Sequence, residues 1–509
     1  MTRIRARRFA GLVALTLVAV AAPACGGSSS GGSSGPSGTT LSVLRTESID
    51  GWVLDSAAAY ATYQTQAAVL EGLLRTAPDG SGVVAGLSDK WSYDPATTSW
   101  TFRIRKGAAF SDGSPVTGKD VMFSSDLWRN GPNFGGSYAR VEAVSSPKVD
   151  TVVFKLTEPD NNFEALISAS VSGVLPAKFG GRTEKAYYQD PIGAGAYKVD
   201  DWSASGRLSL SRNPHFYDRT PTGPDKIEVD VVADDNERSV LFEAGDADVV
   251  EYIPASSRTQ FDKDRLLTLP VSQVSHLSLN LAEGPLADVE VRRAIASALD
   301  YQGMIDGAFA GEAEPATGIL PPNLPRYTPP TKDYFSTDLA GARKALAGSS
   351  GAGGFKSELI YDAAVGSDAL AAQVVAANLA KLDIKVKLTG LETAAFLDRA
   401  FGGDAPMTLW SFGAVSPDII DPVNWIAGTG WLFSGFDTTA LAEQAGAYST
   451  SADDASAKAV IAQIQDDAIT NVPAIALAHF SVAHAVASSV KIKATPWGLY
   501  YYDDVSMGG

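Results

Sequence analysis

The segment Gly113–Asp120 nearly matches a phosphate-binding loop, which would bind a nucleotide. That motif needs Ser or Thr directly after its lysine, because the hydroxyl holds Mg²⁺, but Asp120 follows Lys119 here. Pro115 also lacks one of the N–H groups that would surround the phosphate. We therefore predict a turn followed by a capped helix instead of a nucleotide site.

Patterns typical of hydrolases and dinucleotide-binding enzymes are also incomplete. Gly27–Gly31 and Gly31–Gly35 both match the nucleophile-elbow pattern Gly-x-Ser-x-Gly, but they lie in a Gly- and Ser-rich tract with no strand before and no helix after. Gly193-Ala194-Gly195 lacks the third glycine of a dinucleotide fingerprint. We interpret these matches as consequences of composition.

Histidines and paired carboxylates give no convincing metal or acid–base site. The four histidines are His215, His276, His479 and His484. None stands in a His-Glu-x-x-His pattern, so we expect hydrogen-bonded histidines instead of metal ligands. Asp234-Asp235 and Asp453-Asp454 are expected to be solvated loop residues. We predict a protein that is not an enzyme and has no cofactor and no bound metal.

Composition excludes several further classes. The 509 residues include 41 Lys plus Arg and 58 Asp plus Glu, for a net charge of −17, and 45% are hydrophobic. A chain of this length holds roughly three domain-sized units or two large ones. It has enough apolar residues to fold, and it is too acidic to bind nucleic acid through phosphate neutralisation. The single cysteine excludes an internal disulfide.

The N-terminus is typical of a bacterial lipoprotein signal. Four arginines within the first eight residues precede the apolar run Phe9–Ala22, which is too short for an ordinary membrane span. Ala22-Pro23-Ala24-Cys25 resembles a lipobox, although Ala22 stands where Leu is usual. We expect residues 1–24 to be a cleaved signal peptide and Cys25 to be acylated; the alternatives are a buried N-terminal helix and a free thiol on a mobile tail.

Residues 25–40 form a tether in this interpretation. Gly26–Thr40 contains only Gly, Ser, Pro and Thr, so it cannot bury a core. Such a segment would reach on the order of 20 Å from the bilayer. Cleavage removes four arginines and leaves a net charge of −21, so membrane attachment would depend on acyl chains and not on a basic patch.

Strand and helix patterns alternate through the rest of the chain, which predicts an α/β architecture with mixed sheets. Thr117 and Asp120 resemble a capping box that opens a helix to about Arg129. The Pro-rich stretch Pro315–Pro330 is predicted to be a loop. The other predicted helices are 60–74, 289–299 and 369–382. The predicted strands are 41–44, 91–93, 100–105, 151–156, 207–211, 227–232 and 384–388.

Several segments together resemble the extracellular solute-binding protein family 5, the peptide- and nickel-binding class that supplies ABC importers. They occur in the family's order from about Leu41 to the C-terminus. The matching segments are Glu71–Leu74, Gly86–Trp91, Phe102–Gly107, Phe110–Thr117, Lys119–Val121, Pro191–Val199, Trp202, Arg212–Pro214, Val291–Ile295 and Ala298–Asp300.

The resemblance implies a two-lobed periplasmic-binding-protein-like fold (type II, cluster C) with a hinged ligand cleft and an additional domain on lobe one. The implied boundaries are residues 41–79, 188–285 and 486–509 for lobe one, 80–187 for the additional domain and 286–485 for lobe two. Chain crossings between the lobes are implied near Tyr197 and near Leu279-Asn280.

The segment Asp418-Ile419-Ile420-Asp421-Pro422 bears on the ligand. In peptide-binding members of the family, the acidic residue three before the Asp of this Asp-Pro pair binds the α-ammonium group of the peptide, and Asp418 occupies that position. The alternative is an aspartate that caps a turn. An aromatic residue is common three positions before this aspartate, where Val415 stands here. The aromatic residues that would either stack on a ligand or belong to the core are Trp410, Phe412, Trp425 and Trp431.

The resemblance implies a lipid-anchored, extracytoplasmic receptor that captures a small polar ligand by lobe closure and delivers it to ABC permease subunits. A peptide is the expected ligand; a metal chelate, an oligosaccharide or another metabolite is the alternative. Two competing interpretations are a non-transporting envelope sensor or scaffold and a cell-envelope hydrolase. We expect a monomer that contacts the membrane only through its lipid anchor.

Overall fold

The computed structural model describes residues 39–46, 48–49, 51–54, 60–131, 134–203, 206–218, 222–311, 313–414, 416–429 and 434–508. The expected signal peptide, Cys25 and nearly all of the expected tether lie outside these residues. Among the residues that are described, no helix is both long and apolar enough to cross a membrane.

The strands follow the chain in this order: β1 (Thr40–Arg45), β2 (Leu74–Thr76), β3 (Val83–Ala85), β4 (Ser88–Asp94), β5 (Ser99–Ile104), β6 (Val141–Lys148), β7 (Thr151–Leu156), β8 (Tyr197–Trp202), β9 (Leu208–Arg212), β10 (Lys226–Val231), β11 (Val249–Val250), β12 (Leu266–Leu279), β13 (Ala313–Pro315), β14 (Lys356–Asp362), β15 (Lys385–Leu391), β16 (Met407–Gly413), β17 (Ala474–Val486), β18 (Val490–Lys491) and β19 (Ser506–Met507).

The α-helices are α1 (Tyr60–Val69), α2 (Gly118–Asn130), α3 (Phe163–Ile167), α4 (Glu184–Gln189), α5 (Asp235–Ala244), α6 (Val289–Ala298), α7 (Tyr301–Gly307), α8 (Leu339–Ala347), α9 (Gly366–Ala380), α10 (Thr393–Gly402), α11 (Asp421–Thr429), α12 (Thr439–Ser449) and α13 (Asp454–Asn471).

One mixed sheet runs through most of the chain, in the order β15-β14-β16-β12-β17-β11-β1-β10-β9-β8, with β13 beside β17. Its two halves are joined by the antiparallel pair β12 and β17. The register of this pair shifts between Pro270 and Val274 and again between Ser275 and His276. Such irregularities bend a strand and increase its twist, so the sheet curls where its two halves meet.

A smaller antiparallel sheet, β4-β5-β7-β6, is formed by residues within 88–156. Its inward residues Phe102 and Phe154 belong to the same hydrophobic core as Leu41 and Val43 of β1. The smaller sheet therefore packs on the β1 half of the large sheet. The other half has separate cores, one around Leu277 and Val375.

The near match to a phosphate-binding loop is a turn followed by a capped helix, as predicted. Helix α2 begins at Gly118, and the Asp120 carboxylate accepts hydrogen bonds from the Thr117 N–H (2.7 Å) and hydroxyl (2.6 Å). Its second oxygen accepts a hydrogen bond from the Ala177 N–H at 2.7 Å. Since both oxygens accept hydrogen bonds from the protein, Asp120 stabilises the start of the helix and does not form part of a nucleotide site.

Two expectations from the sequence need correction. Helix α1 ends at Val69 instead of Leu74, because Gly72 forms a backbone bridge with Gly173 and Leu74 begins a strand. Asp234 and Asp453 are exposed, as expected, but they cap helices instead of being ordinary loop residues. Their carboxylates accept hydrogen bonds from backbone N–H groups in the first turns of α5 and α13, which are otherwise unpaired donors.

A buried ion pair connects β1 with the end of β11. Arg45 and Glu251 are 1% and 0% exposed, and the Arg45 guanidinium donates a hydrogen bond to Glu251. Glu251 also accepts hydrogen bonds from Gln64 (2.8 Å) and from the hydroxyls of Tyr500 and Tyr502. Burial by itself would raise the pKa of Glu251, but Arg45 and the other partners hold it below its ordinary value.

We expect Glu251→Gln to lower the free energy of unfolding by about 3–5 kcal/mol, because it leaves the buried Arg45 charge without its counter-ion. Urea unfolding followed by circular dichroism measures this loss. Asp89→Asn is the control, since it breaks the exposed pair with Arg103 and should cost about 0–1 kcal/mol. Equal losses for the two variants would contradict a structural role for the buried pair.

Candidate functional site

The loop that carries Asp418 leaves the large sheet at the carboxyl ends of parallel strands. β14 runs parallel to both β15 and β16, so Asp362, Leu391 and Gly413 end their strands at the same edge. In α/β sheets, ligands bind in the crevice outside the carboxyl ends of the strands. The segment between Gly413 and the start of α11 at Asp421 therefore lies where a ligand is expected.

Asp418 is buried with one carboxylate oxygen satisfied and the other not. It is 4% exposed. Its Oδ1 accepts hydrogen bonds from the Tyr448 hydroxyl (2.9 Å) and from the Ile420 N–H (3.3 Å). Its Oδ2 is buried and has no hydrogen-bond partner among the described residues. The turn-capping alternative thus accounts for one oxygen of Asp418, while the second is available for a ligand.

Two further carboxylates, Asp160 and Glu164, are far from Asp418 in sequence but interact with it electrostatically in the fold. Burial and the charge of Asp160 raise the pKa of Asp418 to about 6, although Arg140 and Tyr448 oppose this shift. Burial, Asp160 and Asp418 likewise raise the pKa of Glu164 to about 7. Burial is the largest cause of both shifts, and the neighbouring carboxylates add to it.

Hydrogen bonds join the segment around Asp160 to the part of the chain around Asp418. The Asn161 N–H donates to the Ser449 carbonyl at 2.8 Å. The Arg326 Nη1 donates to Oδ1 of Asn162 at 2.6 Å. We call the charged and phenolic groups at this junction the boundary cluster; its members are Arg140, Asp160, Glu164, Arg326, Asp418 and Tyr448.

The four predicted aromatic residues are only partly covered by the structure. Trp410 lies on β16 and packs its ring against Phe396 (5.3 Å between centroids) and Phe401 (5.9 Å) of α10. Phe412 lies on β16 and Trp425 on α11, but their side chains are outside the described residues, as is all of Trp431. Trp410 is therefore half-buried in a local aromatic group, and stacking of these four residues on a ligand stays a prediction.

Three histidines of the large sheet have separate hydrogen-bond partners, as expected of structural histidines. His276 contacts the Ile319 carbonyl (3.2 Å), His479 accepts from the Thr317 N–H (3.2 Å), and His484 accepts from the Tyr252 N–H (3.3 Å). Burial lowers the pKa of each to about 4. These histidines are therefore neutral at physiological pH.

Asp418 is the one member of the boundary cluster that the sequence predicts as a site residue. The positions of the other members in the chain are far apart, and none of these members stands in a recognisable motif. The one local signal is the polar run Asp160-Asn161-Asn162, where Asn162 immediately precedes helix α3. That run predicts a turn, but it does not predict that the turn contacts the part of the chain around Asp418.

Comparison with known proteins identifies the family. The sequence profile of the bacterial extracellular solute-binding proteins, family 5, matches residues 82–433. The chain belongs to this family. This family-5 protein has the two-lobed α/β fold of periplasmic binding proteins, with an additional domain on lobe one and a cleft between the lobes. The individual lobe boundaries stay predictions.

Two relatives and one structure illustrate the similarity. The family-5 protein is 28% identical over 358 residues to the probable D,D-dipeptide-binding periplasmic protein DdpA of Escherichia coli K12, covering 67% of each chain. It is 25% identical over 473 residues to the dipeptide-binding protein of the same organism, covering 84% of this chain and 86% of that one. The binding protein AgaA of A. tumefaciens R10, solved with agropinic acid, superposes with a TM-score of 0.76 at 21% identity, covering 92% and 99% of the chains. All three are named as binding proteins.

We expect Asp418→Asn to stabilise the ligand-free protein above neutral pH. Because the folded-state pKa of about 6 lies above the ordinary value of 3.8, the contribution of Asp418 to stability is lost as the pH rises through about 6. The variant keeps a side-chain oxygen for Tyr448 and does not ionise. Its free energy of unfolding should exceed that of the wild type by on the order of 2 kcal/mol at pH 7.5, and the difference should shrink towards pH 4.

Urea unfolding at a series of pH values measures this difference. A difference between Asp418→Asn and wild type that stays constant from pH 4 to pH 7.5 would contradict an ionised, poorly compensated Asp418. Asp437→Asn is a suitable control, because Asp437 is exposed and lies at the start of α12.

Proposed function

We propose that the protein is a lipid-anchored, extracytoplasmic receptor of an ABC importer, which captures a small polar ligand with a charged amino group by lobe closure and delivers it to the permease. A peptide is the favoured ligand. The observation that carries the proposal is the buried Asp418 carboxylate, whose Oδ2 lacks a hydrogen-bond partner among the described residues and which follows the carboxyl edge of the large sheet.

An ammonium group is the natural partner of this carboxylate. Removing one member of a buried charge pair is costly, so a buried anion with a free oxygen favours a cation that also donates hydrogen bonds. The α-ammonium group of a peptide meets both requirements. The names of the relatives DdpA and dipeptide-binding protein support the same ligand class.

A non-peptide solute is the second candidate. AgaA was solved with agropinic acid on the same fold, and a fold by itself does not determine the ligand. The groups around Asp418 constrain only the part of a ligand that carries positive charge. A metal chelate, an oligosaccharide or another metabolite, and a sensor or scaffold that does not transport, stay alternatives to the peptide receptor.

Mass spectrometry of the small molecule released on denaturing purified protein tests the proposal. An unchanged ligand with an amino group, recovered at about one molecule per chain, would support a receptor. Turnover of an offered peptide that is lost on mutation of a boundary-cluster residue would instead show a hydrolase. A ligand without any basic nitrogen would exclude ammonium recognition at Asp418.

Asp418→Asn is expected to weaken binding of the recovered amine by ~1.5–3 kcal/mol, the contribution of a charged hydrogen bond. Isothermal titration calorimetry measures the affinity, with Asp437→Asn as the charge-matched control. Together with the stability prediction above, this describes a residue that favours ligand binding at the expense of the free protein. Unchanged affinity in Asp418→Asn would leave Asp418 with only its turn-capping role.

Cys25→Ala should release the protein from the membrane, because the acyl chains on Cys25 are the only membrane contact that we propose. Detergent phase partition of cells that express the wild type and the variant measures this: the wild type should enter the detergent phase and the variant the aqueous phase. Ser28→Ala, in the same Gly- and Ser-rich tract, is the control. A variant that still partitions with detergent, although N-terminal sequencing shows that residues 1–24 have been removed, would disprove the anchor at Cys25.

A further inference from the structure

The boundary cluster is built from two parts of the chain that meet only in the folded protein. One part, the 140–164 side, carries Arg140, Asp160 and Glu164. The other, the 326–454 side, carries Arg326, Asp418 and Tyr448. The two are held together by the hydrogen bonds of Asn161 and Asn162 described above, and by a further bond from the Asn161 amide to the Ser451 carbonyl at 3.3 Å.

The arginines of the cluster are already paired with other carboxylates. Arg140 Nη1 lies 2.8 Å from Oδ2 of Asp160, on the same side of the boundary. Arg326 Nε lies 3.0 Å from Oδ1 of Asp454, also on its own side. Asp418 and Glu164 consequently have no direct ion pair among the described residues, and they are the surplus negative charges of the cluster.

Asp418 and Glu164 come from opposite sides of the boundary, and each has an unsatisfied oxygen. Oδ2 of Asp418 and Oε2 of Glu164 are both buried without a hydrogen-bond partner in the described part of the chain. The charge of Asp418 contributes to the raised pKa of Glu164. Two like charges in a region of low dielectric repel each other, and a cation between them turns that repulsion into attraction on both sides.

We propose that Glu164 is a second ligand-binding carboxylate, which shares one primary ammonium group of the ligand with Asp418 across the boundary. The inference rests on the proposed function, since it takes the charged amine as given, and adds to it Glu164 as the partner on the opposite lobe. The ammonium group donates hydrogen bonds to both carboxylates, so the ligand's own charge draws the 140–164 side onto the 326–454 side. In the free protein, repulsion between Asp418 and Glu164 favours the open arrangement.

The groups that face the pair define the effect of pH. The pKa of Asp418 is affected by Asp160, Arg140 and Tyr448. The pKa of Glu164 is affected by Asp160, Asp418 and Arg326. Raising the pH ionises both members of the pair without changing either arginine. The free protein should therefore open as the pH rises from 5 to 8, and a charged amine should close it again at pH 8.

A distance measurement across the boundary tests this proposal. Spin labels are placed on Val149→Cys, which is 71% exposed on the 140–164 side, and on Ala459→Cys, which is exposed on α13. The full chain carries Cys25→Ala so that only these two cysteines are labelled. The probe is methylammonium chloride at pH 8. Tetramethylammonium chloride at equal ionic strength is the control, because it carries the same charge but has no N–H donor.

In the wild type, methylammonium but not tetramethylammonium should raise the closed fraction, and lowering the pH to 5 should do the same. Glu164→Gln should raise the closed fraction of the free protein at pH 8 by about twofold or more and should no longer respond to methylammonium. Glu158→Gln removes a charge from the exposed part of the same segment and should behave as the wild type. Circular dichroism of each variant verifies that it is folded.

Each alternative outcome overturns a different statement. If Glu164→Gln opens and closes as Glu158→Gln does, the shared site is disproved whatever the ligand is. If Asp418→Asn abolishes the response to methylammonium and Glu164→Gln does not, Asp418 binds the amine alone, and the proposed function stands without this inference. If the wild type responds equally to both salts, recognition of a primary ammonium is disproved, and the proposed function fails together with the pair.

Discussion

The pairing of β12 with β17 is the constraint on which the arrangement of the molecule depends. These strands join the two halves of the large sheet, and their register shifts twice near the junction. The junction also holds polar side chains, such as Ser272, Ser275 and His276, with buried atoms that lack hydrogen-bond partners among the described residues. A ribbon with shifted register and polar residues is easier to bend than a regular apolar one, which suits a protein whose ligand binds between its lobes.

The buried carboxylates of Glu251 and Asp418 differ in how completely they are hydrogen-bonded. Glu251 receives hydrogen bonds from Arg45, Gln64 and two tyrosines, so its burial costs little and its charge is fixed. Asp418 is nearly as buried, but one of its oxygens has no hydrogen-bond partner within the described ranges. Natural proteins rarely leave such an atom without a reason. We therefore expect Glu251 to stabilise the fold of this chain, whereas Asp418 is the residue that we propose for a charged ligand.

Family membership and ligand identity rest on different evidence. The profile match over residues 82–433 and the similarity to AgaA establish the fold. Proteins with one fold can bind many different solutes. The ligand of such a protein depends on the few groups that line its cleft, and we propose that Asp418 is one of them. Our proposal therefore concerns the positive charge of the ligand and not its size or the rest of its chemistry.

The sequence by itself determined the local elements and the family. The capping pattern placed the start of α2, alternation placed seven of the nineteen strands of the described residues, and ordered short motifs identified family 5. The sequence also indicated Asp418 as a candidate site residue. It predicted too long a helix α1, because tertiary contacts decide where that helix ends. It did not predict that Asp234 and Asp453 cap helices, because this depends on where the helices begin. Only the tertiary structure brought Arg140, Asp160, Glu164, Arg326 and Tyr448 to Asp418. Local patterns reflect interactions between near neighbours in the chain, whereas this site depends on segments far apart in sequence that meet when the two sides pack together.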